Sequence, residues 1–133
     1  GIPSQRQPQL VQAPREQKEV NCDIRNEWIE RLRSDEFVQI TSQLANDGNG
    51  RCALGVLAEV CVDRGLARWE IREGEPRVLW YGEYCARGII PYRLRGKIGL
   101  PDEEASVIPT MNDLDHAPFR KIADWVEKHI DCD

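Results

Sequence analysis

The sequence predicts one mainly helical α+β domain with a small antiparallel β-hairpin and an extended N-terminal arm. Residues 51–63 are apolar around most of a helix's circumference, which indicates a buried central helix. Residues 67–84 change to alternating apolar and charged positions around a turn, the pattern of a hairpin. Residues 1–20 contain three prolines and five glutamines without a sustained hydrophobic period. We therefore divide the chain into an arm, 1–20, and a single globular domain, 21–133.

Size and charge limit the function. The chain has 133 residues, 41% of them hydrophobic and 31% charged, which is ordinary for a globular domain that buries its own core. No apolar run approaches the ~18 residues of a membrane-spanning helix, and residues 1–14 lack the apolar core of a signal peptide. The net charge of −5 argues against a general nucleic-acid-binding protein. We expect neither a membrane nor a nucleic acid as the partner.

The first half of the domain predicts two further helical stretches before the central helix. A helix begins near Asn21 or Asp23, both good N-caps, and ends near Ser34. Apolar residues at helical spacing then recur between positions 37 and 44, and the turn-forming residues 46–50 follow. Within the central helix, Gly55 costs about 1 kcal/mol relative to alanine, so we expect a close helix–helix or helix–strand crossing there.

The second half predicts the hairpin, a loop-rich region and a final amphipathic helix. Glycines and a proline across 85–100 predict loops around one short helix near 92–95, and residues 101–104 form a turn or begin a helix. Pro118 suits a first helical turn, and Asp115 is the expected cap. The apolar stripe of this last helix is Phe119, Ile122, Ala123, Val126 and Ile130.

The cysteines and the acidic residues predict no metal and no cofactor. The five cysteines include no CxxC pair and only two histidines accompany them, so zinc is disfavoured. We expect reduced, mostly buried cysteines that pack as small hydrophobic residues. The oxygen-rich Asn112, Asp113 and Asp115 lack the glycine and distal glutamate of a calcium loop. A turn with backbone hydrogen bonds is the favoured interpretation of that run.

One group of residues is compatible with a catalytic site. Cys52 lies where a loop meets a helix N-terminus, a position that lowers a thiol pKa, and His116 follows with Asp113 nearby in sequence. The order Cys52, Asp113, His116 is compatible with a thiol hydrolase or transferase. The alternative is a packed Cys52 and a helix-capping pair at 115–116, and we favour this non-catalytic interpretation.

A second group of residues suits an interface. The cations Arg87, Arg93, Arg95 and Lys97 follow one another with no acid between them, and Tyr84 and Tyr92 lie among them. The alternative is a solvated loop whose cations pair with the acidic C-terminal third. Trp69 and Trp80 lie on the expected hairpin, where an exposed aromatic ring anchors partners well.

Three segments resemble a group of small proteins encoded by tailed phages and some bacteria. They are residues 28–34 (WIERLRS) with Gln39, residues 51–57 (RCALGVL), and residues 112–127 with the pattern NDxxxxxFxxIADWVE. The resemblance covers about residues 26–130 and implies a phage-type origin but no established activity. This chain has Ala53 after Cys52, where many relatives have paired cysteines.

We therefore expect a non-enzymatic phage-type accessory protein that binds a protein assembly through its arm. The concrete form is a virion decoration, cement or minor structural protein, located in the virion or the host cytoplasm. Its partners would be capsid or other virion subunits, or a second copy of the chain. Ile2, Leu10 and Val11 are the expected apolar anchors of the arm. The alternatives are the thiol enzyme and a soluble phage effector that inhibits a host protein through its acidic surface.

Overall fold

A computed structural model describes residues 21–132 and has the predicted α+β class. The helices are α1 (Cys22–Leu32), α2 (Ala53–Asp63), α3 (Tyr92–Ile98), α4 (Asp102–Pro109) and α5 (Phe119–His129), with a π-helical turn at Thr110–Leu114. The strands are β1 (Val38–Gln39), β2 (Gly50–Arg51), β3 (Arg68–Glu70), β4 (Val78–Tyr81) and β5 (Tyr84–Ala86).

Helix α2 is the buried centre that the sequence predicts. Every residue from Ala53 to Cys61 is buried, and α1 packs against it with the apolar stripe that includes Trp28. The close approach predicted at Gly55 is present, but the partner is neither the helix nor the strand that we expected. A Cβ there would lie far inside van der Waals contact with the Leu44 carbonyl oxygen and 2.8 Å from the Leu44 carbonyl carbon. The crossing partner is a loop backbone, which approaches a helix only where no side chain intervenes.

Helices α1 and α5 pack against each other and contribute apolar residues to the same core. The amide of Ile24 donates to Asn21 Oδ1 at 3.1 Å, so Asn21 is the N-cap of α1 as predicted. The expected cap of α5 is wrong. Asp115 ends the π-helical turn, and the N-cap position of α5 is Pro118, which offers no side-chain hydrogen bond.

The predicted hairpin is present and belongs to a three-stranded antiparallel sheet in the order β3-β4-β5. Leu79 of β4 pairs with Trp69 on one side and Ala86 on the other, and its side chain is fully buried. The third strand lies where the sequence predicts loops. It follows a tight turn in which Gly82 has φ +59°, a conformation that glycine adopts easily.

The helical stretch expected at 37–44 is wrong. Val38 and Gln39 instead form β1, which pairs in parallel with β2 through Val38↔Gly50 and Gln39↔Arg51. Ser42 has a positive φ of 69°, which no helix accommodates. The apolar spacing arises because Leu44 enters the core while Phe37 packs beside it, and tertiary pairing overrides the helical period.

Helices α3 and α4 are longer than the sequence predicts. Helix α3 runs three residues beyond position 95 and ends at Gly99, whose φ of +80° is a left-handed C-cap. The expected turn or helix start at 101–104 is the first turn of α4, which continues into the π-helical turn.

A disulfide joins Cys22 at the start of α1 to Cys132 after α5, with Cα atoms 5.2 Å apart. The expectation that all five cysteines are reduced is therefore wrong for this pair. The two residues are 110 positions apart in sequence, and only the packing of α1 on α5 brings them together. Arg25 reinforces the junction by donating to the carbonyl oxygens of Glu127 and Ile130. Cys52 and Cys61 are free and buried, and Cys85 is free and exposed.

Candidate interaction surface

Strand β5, the following connection and helix α3 form one exposed, positively charged surface. The guanidinium carbon of Arg93 lies 5.5 Å from the centre of the Tyr84 ring, which joins α3 to β5. Tyr92 is 67% exposed, and the Arg95 guanidinium lies 5.3 Å from its ring centre. Ile89 is 53% exposed in the connection between them. We name this region the basic surface and define it by Tyr84, Arg87, Ile89, Tyr92, Arg93 and Lys97.

The cations of the basic surface have no carboxylate partners within residues 21–132. Within residues 21–132, nine of the twelve arginines bond to a carboxylate or a carbonyl oxygen, and the exceptions are Arg68, Arg87 and Arg93. Lys97, one helical turn after Arg93, is exposed and likewise has no ion pair among the described residues. Arg95 differs because it pairs with Asp102 at 3.3 Å. Among the described residues, pairing with the acidic C-terminal third thus applies to Arg95 and not to the other three cations of the run.

The two hairpin tryptophans lie in polar clusters of their own and are half-buried. The Trp69 Nε1–H donates to Glu59 Oε1 at 3.0 Å, and the Trp80 Nε1–H donates to Glu70 Oε1 at 2.8 Å. Each indole has its polar hydrogen satisfied within the domain. Both tryptophans remain candidates for an interface, but the large exposed apolar side chains nearest in sequence are Ile71 and Tyr84.

Trp69 contacts a buried cluster of charged side chains, namely Arg51, Glu59 and Arg77. The Arg51 Nε–H donates to Glu59 Oε1 at 2.7 Å, and the same guanidinium donates to the carbonyl oxygens of Gly48 and Gly50. The Arg77 guanidinium approaches Glu59 Oε1 at 4.0 Å, and burial lowers the pKa of Arg77 below its usual value. Through Arg51, these bonds hold the 46–50 loop against helix α2, which carries Glu59. The turn residues alone do not reveal this role.

Cys52 is placed at a helix N-terminus as expected, but it is not an activated thiol. Its Sγ accepts from the Gly55 amide at 3.3 Å, and the residue is only 7% exposed. Burial raises the pKa of Cys52 to about 11, and Asp113 adds a smaller effect in the same direction. The expected lowering of the pKa is wrong, because desolvation of the thiolate outweighs the favourable amide dipoles.

His116 and Asp113 do not form a hydrogen-bonded triad with Cys52. His116 is exposed, has φ +54°, and makes no hydrogen bond with Cys52 or Asp113 in the described chain. Asp113 Oδ1 instead accepts from Asn112 Nδ2 at 2.7 Å. The arrangement lacks the chain of bonds by which a base activates a nucleophile.

Asn112 is the residue that connects the three sequence segments singled out above. It is 1% exposed, and its Oδ1 accepts from the Ala53 amide at 3.1 Å and from Gln39 Nε2 at 2.9 Å. Its Nδ2 donates to the Ile40 carbonyl at 2.8 Å. This asparagine therefore fastens the π-helical turn to β1 and to the start of α2. The sequence predicted only a turn at Asn112. The signal for its role as a connector was that Gln39 and Asn112 both belong to the segments that carry the resemblance.

The expected arm anchors Ile2, Leu10 and Val11 lie outside the described residues. The structure does describe Asn21, the residue that follows the arm. The Asn21 amide donates to the Ile98 carbonyl oxygen at 3.0 Å, so residue 21 is attached to the last turn of α3. Residue 21 therefore lies at one end of the helix that carries Tyr92, Arg93 and Lys97.

Residues 21–132 contain no group of three or more histidine, cysteine, aspartate or glutamate side chains that could hold a metal ion. In the same part of the chain, no helix combines the length and apolar character needed to cross a bilayer.

A family model described as Domain of unknown function (DUF8296) matches residues 20–91. The matched segment includes α1, α2 and all five strands, and it ends where α3 begins. No curated protein matches the chain, and no solved structure does. The matched segment contains Tyr84, Arg87 and Ile89 of the basic surface, whereas Tyr92, Arg93 and Lys97 follow it.

Proposed function

We propose that this chain, which belongs to the DUF8296 family, is a non-enzymatic accessory protein that binds a protein assembly. The concrete form is a decoration or minor structural protein of a tailed-phage virion. The observation that carries the proposal is the basic surface, where cations without carboxylate partners in residues 21–132 lie beside exposed tyrosine and isoleucine side chains. Arginine and tyrosine are enriched in protein–protein interfaces, and isolated cations without partners favour an external one.

The position of residue 21, which follows the arm in sequence, supports the same function. Residue 21 is bonded to Ile98, and α3 has seven residues, so residue 21 lies about 10 Å or less from Tyr92 along the helix axis. An arm that starts there can contact the same partner as the basic surface. Ile2, Leu10 and Val11 would supply its apolar contacts.

The state of Cys52 favours binding over catalysis. A buried thiol with a pKa of about 11 has almost no thiolate at neutral pH, and its sulfur accepts a hydrogen bond from the backbone of its own helix. The phage component of the proposal rests on the resemblance of the three segments, which the Asn112 bonds bring together in space.

Co-sedimentation tests the proposal. Purified full-length chain is mixed with capsids of a tailed phage that encodes it or a close relative, and bound chain is measured across chain concentrations. We expect saturable sedimentation at a fixed number of copies per capsid. The chain would remain in the supernatant at every salt concentration if the proposal were wrong.

Thiol labelling separates this function from the thiol-enzyme alternative. A disulfide reagent at pH 7 should modify exposed Cys85 quickly and Cys52 far more slowly. The Cys85→Ser variant removes the fast phase and serves as the control. Fast labelling of Cys52 in that variant would favour the enzyme instead.

A further inference from the structure

We propose that the basic surface binds an acidic protein segment that carries an exposed apolar side chain. The inference deepens the proposed function, on which it rests, by naming the chemistry of the partner. Three properties of the surface lead to it: the separation of charge along the chain, the exposed rings and aliphatic groups, and the geometry of α3.

Charge is separated sharply along the sequence. No acidic residue occurs from Tyr84 to Leu100, although the whole chain has a net charge of −5. Glu83 and Asp102 bound this stretch, and the structure pairs Asp102 with Arg95. Arg87, Arg93 and Lys97 remain exposed without carboxylate partners in the described residues. Complementary charge on a partner would be attracted to this surface and repelled by most of the remaining chain.

The apolar groups favour a protein over a nucleic acid. Tyr92 is 67% exposed and Ile89 is 53% exposed, and an aliphatic side chain such as Ile89 gains contact area from an apolar group rather than from phosphate. Nucleic-acid binding also depends on many phosphate contacts, and a net-acidic chain with three available cations at this surface is poorly suited to it. The mixture of cations and apolar groups fits a polar rim around an apolar contact.

Helix α3 holds the groups in fixed positions. Leu94 and Ile98 are buried in the core, so the helix is anchored by one face while Arg93 and Lys97 project from another. Arg93 is further held against the Tyr84 ring, which limits its motion before binding. A surface ordered in advance loses less side-chain entropy when a partner binds.

A peptide selection tests the chemistry directly. Random twelve-residue peptides displayed on yeast are selected with the biotinylated full-length chain, and with the double variant Arg93→Glu/Lys97→Glu in parallel. The control variant is Arg120→Glu/Lys121→Glu, which reverses two exposed charges on α5. Far-ultraviolet circular dichroism and urea midpoints establish that all three proteins are folded.

The wild-type chain and the α5 control should enrich peptides with several Asp or Glu residues around one apolar residue. Enriched peptides should bind the Arg93→Glu/Lys97→Glu variant about tenfold more weakly or worse, and increasing salt should reduce the difference. Selection of uncharged or basic peptides, or equal binding by the Arg93→Glu/Lys97→Glu variant, would overturn the proposal.

Two further outcomes would assign the basic surface to a partner other than an acidic protein segment. Tighter binding of duplex DNA than of the selected peptides, lost in the Arg93→Glu/Lys97→Glu variant, would assign it to nucleic acid and overturn the proposal. Salt-sensitive self-association lost in the same variant would assign it to a second copy of the chain, with the same consequence. Capsid co-sedimentation that persists in this variant would leave the proposed function intact while rejecting the partner assigned to the basic surface.

Discussion

Replacement of Gly55 by alanine should destabilise the protein, although helix propensity alone predicts the opposite. Alanine in a helix interior is about 1 kcal/mol more favourable than glycine. At this position the new Cβ would collide with the carbonyl group of Leu44, a backbone atom that no rotamer change can move. The Leu44 backbone is itself fixed, because its amide donates to Arg87 and its carbonyl accepts from Cys52.

The size of the expected destabilisation follows from the atoms that the new Cβ would displace. Displacing the Leu44 carbonyl breaks its 3.1 Å bond with the Cys52 amide, which costs about 1–3 kcal/mol for a buried group. Forcing a methyl group into the packed crossing costs about 1–3 kcal/mol more. After the propensity gain of about 1 kcal/mol, the free energy of unfolding should fall by about 3 kcal/mol.

Urea denaturation followed by tryptophan fluorescence measures this change. With a slope of about 2 kcal/mol per molar urea, the midpoint should fall by about 1.5 M. Gly96→Ala is the matched control, because Gly96 lies in α3 and a Cβ there meets no atom within 4 Å. The control should gain up to about 1 kcal/mol. A Gly55→Ala protein as stable as the wild type, with an unchanged slope, would refute the tight crossing at the centre of the fold.

Three other changes test the remaining structure by urea denaturation. Cys22→Ser should lower the free energy of unfolding by up to about 4–5 kcal/mol, because the disulfide spans 110 residues. The control Cys85→Ser should change it little, since Cys85 is free and exposed. Equal effects of the two substitutions would contradict the disulfide. Asn112→Ala should cost about 2–4 kcal/mol by leaving the Ala53 amide and the Ile40 carbonyl without this partner, and a loss below about 0.5 kcal/mol would argue against that network. Because burial raises the pKa of Cys52 to about 11, the unfolded chain loses this proton first as pH rises. Stability should therefore fall from about pH 9 to 11, less steeply in Cys52→Ala, and identical slopes would contradict the buried thiol.

The elements with a strong internal period were predictable from the sequence. The α1 and α5 stripes and the fully apolar α2 each carry enough repeated information to identify a helix and its buried face. Gly55 was informative for a related reason, since an unfavourable residue in a strong helix indicates a neighbour that needs the space.

The features that depend on distant pairing were not predictable. Strand β1 has two residues, and its partner β2 lies beyond a loop that carries no periodic signal. The disulfide of Cys22 depends on the packing of two helices, α1 and α5, that are far apart in sequence. The pKa of Cys52 was assigned the wrong direction because helix position is visible in sequence, whereas burial is a property of the whole fold.

The basic surface was predictable in part. The sequence indicates the run of cations and the two interleaved tyrosines, but not which cations already have partners. The structure separates Arg95, which pairs with Asp102, from Arg93, which lies against the Tyr84 ring. Ile89 drew no attention in the sequence because one exposed aliphatic residue in a loop has no pattern.

Hydrogen exchange of the full chain, free and bound to capsids, tests the central proposal that the basic surface faces a protein assembly. Peptides that cover residues 84–98 should exchange more slowly in the bound state, and peptides from the arm, 1–20, should gain protection with them. Peptides from the exposed first turn of α4 should be unchanged. Slower exchange confined to α4 or α5, with residues 84–98 unaffected, would contradict the account.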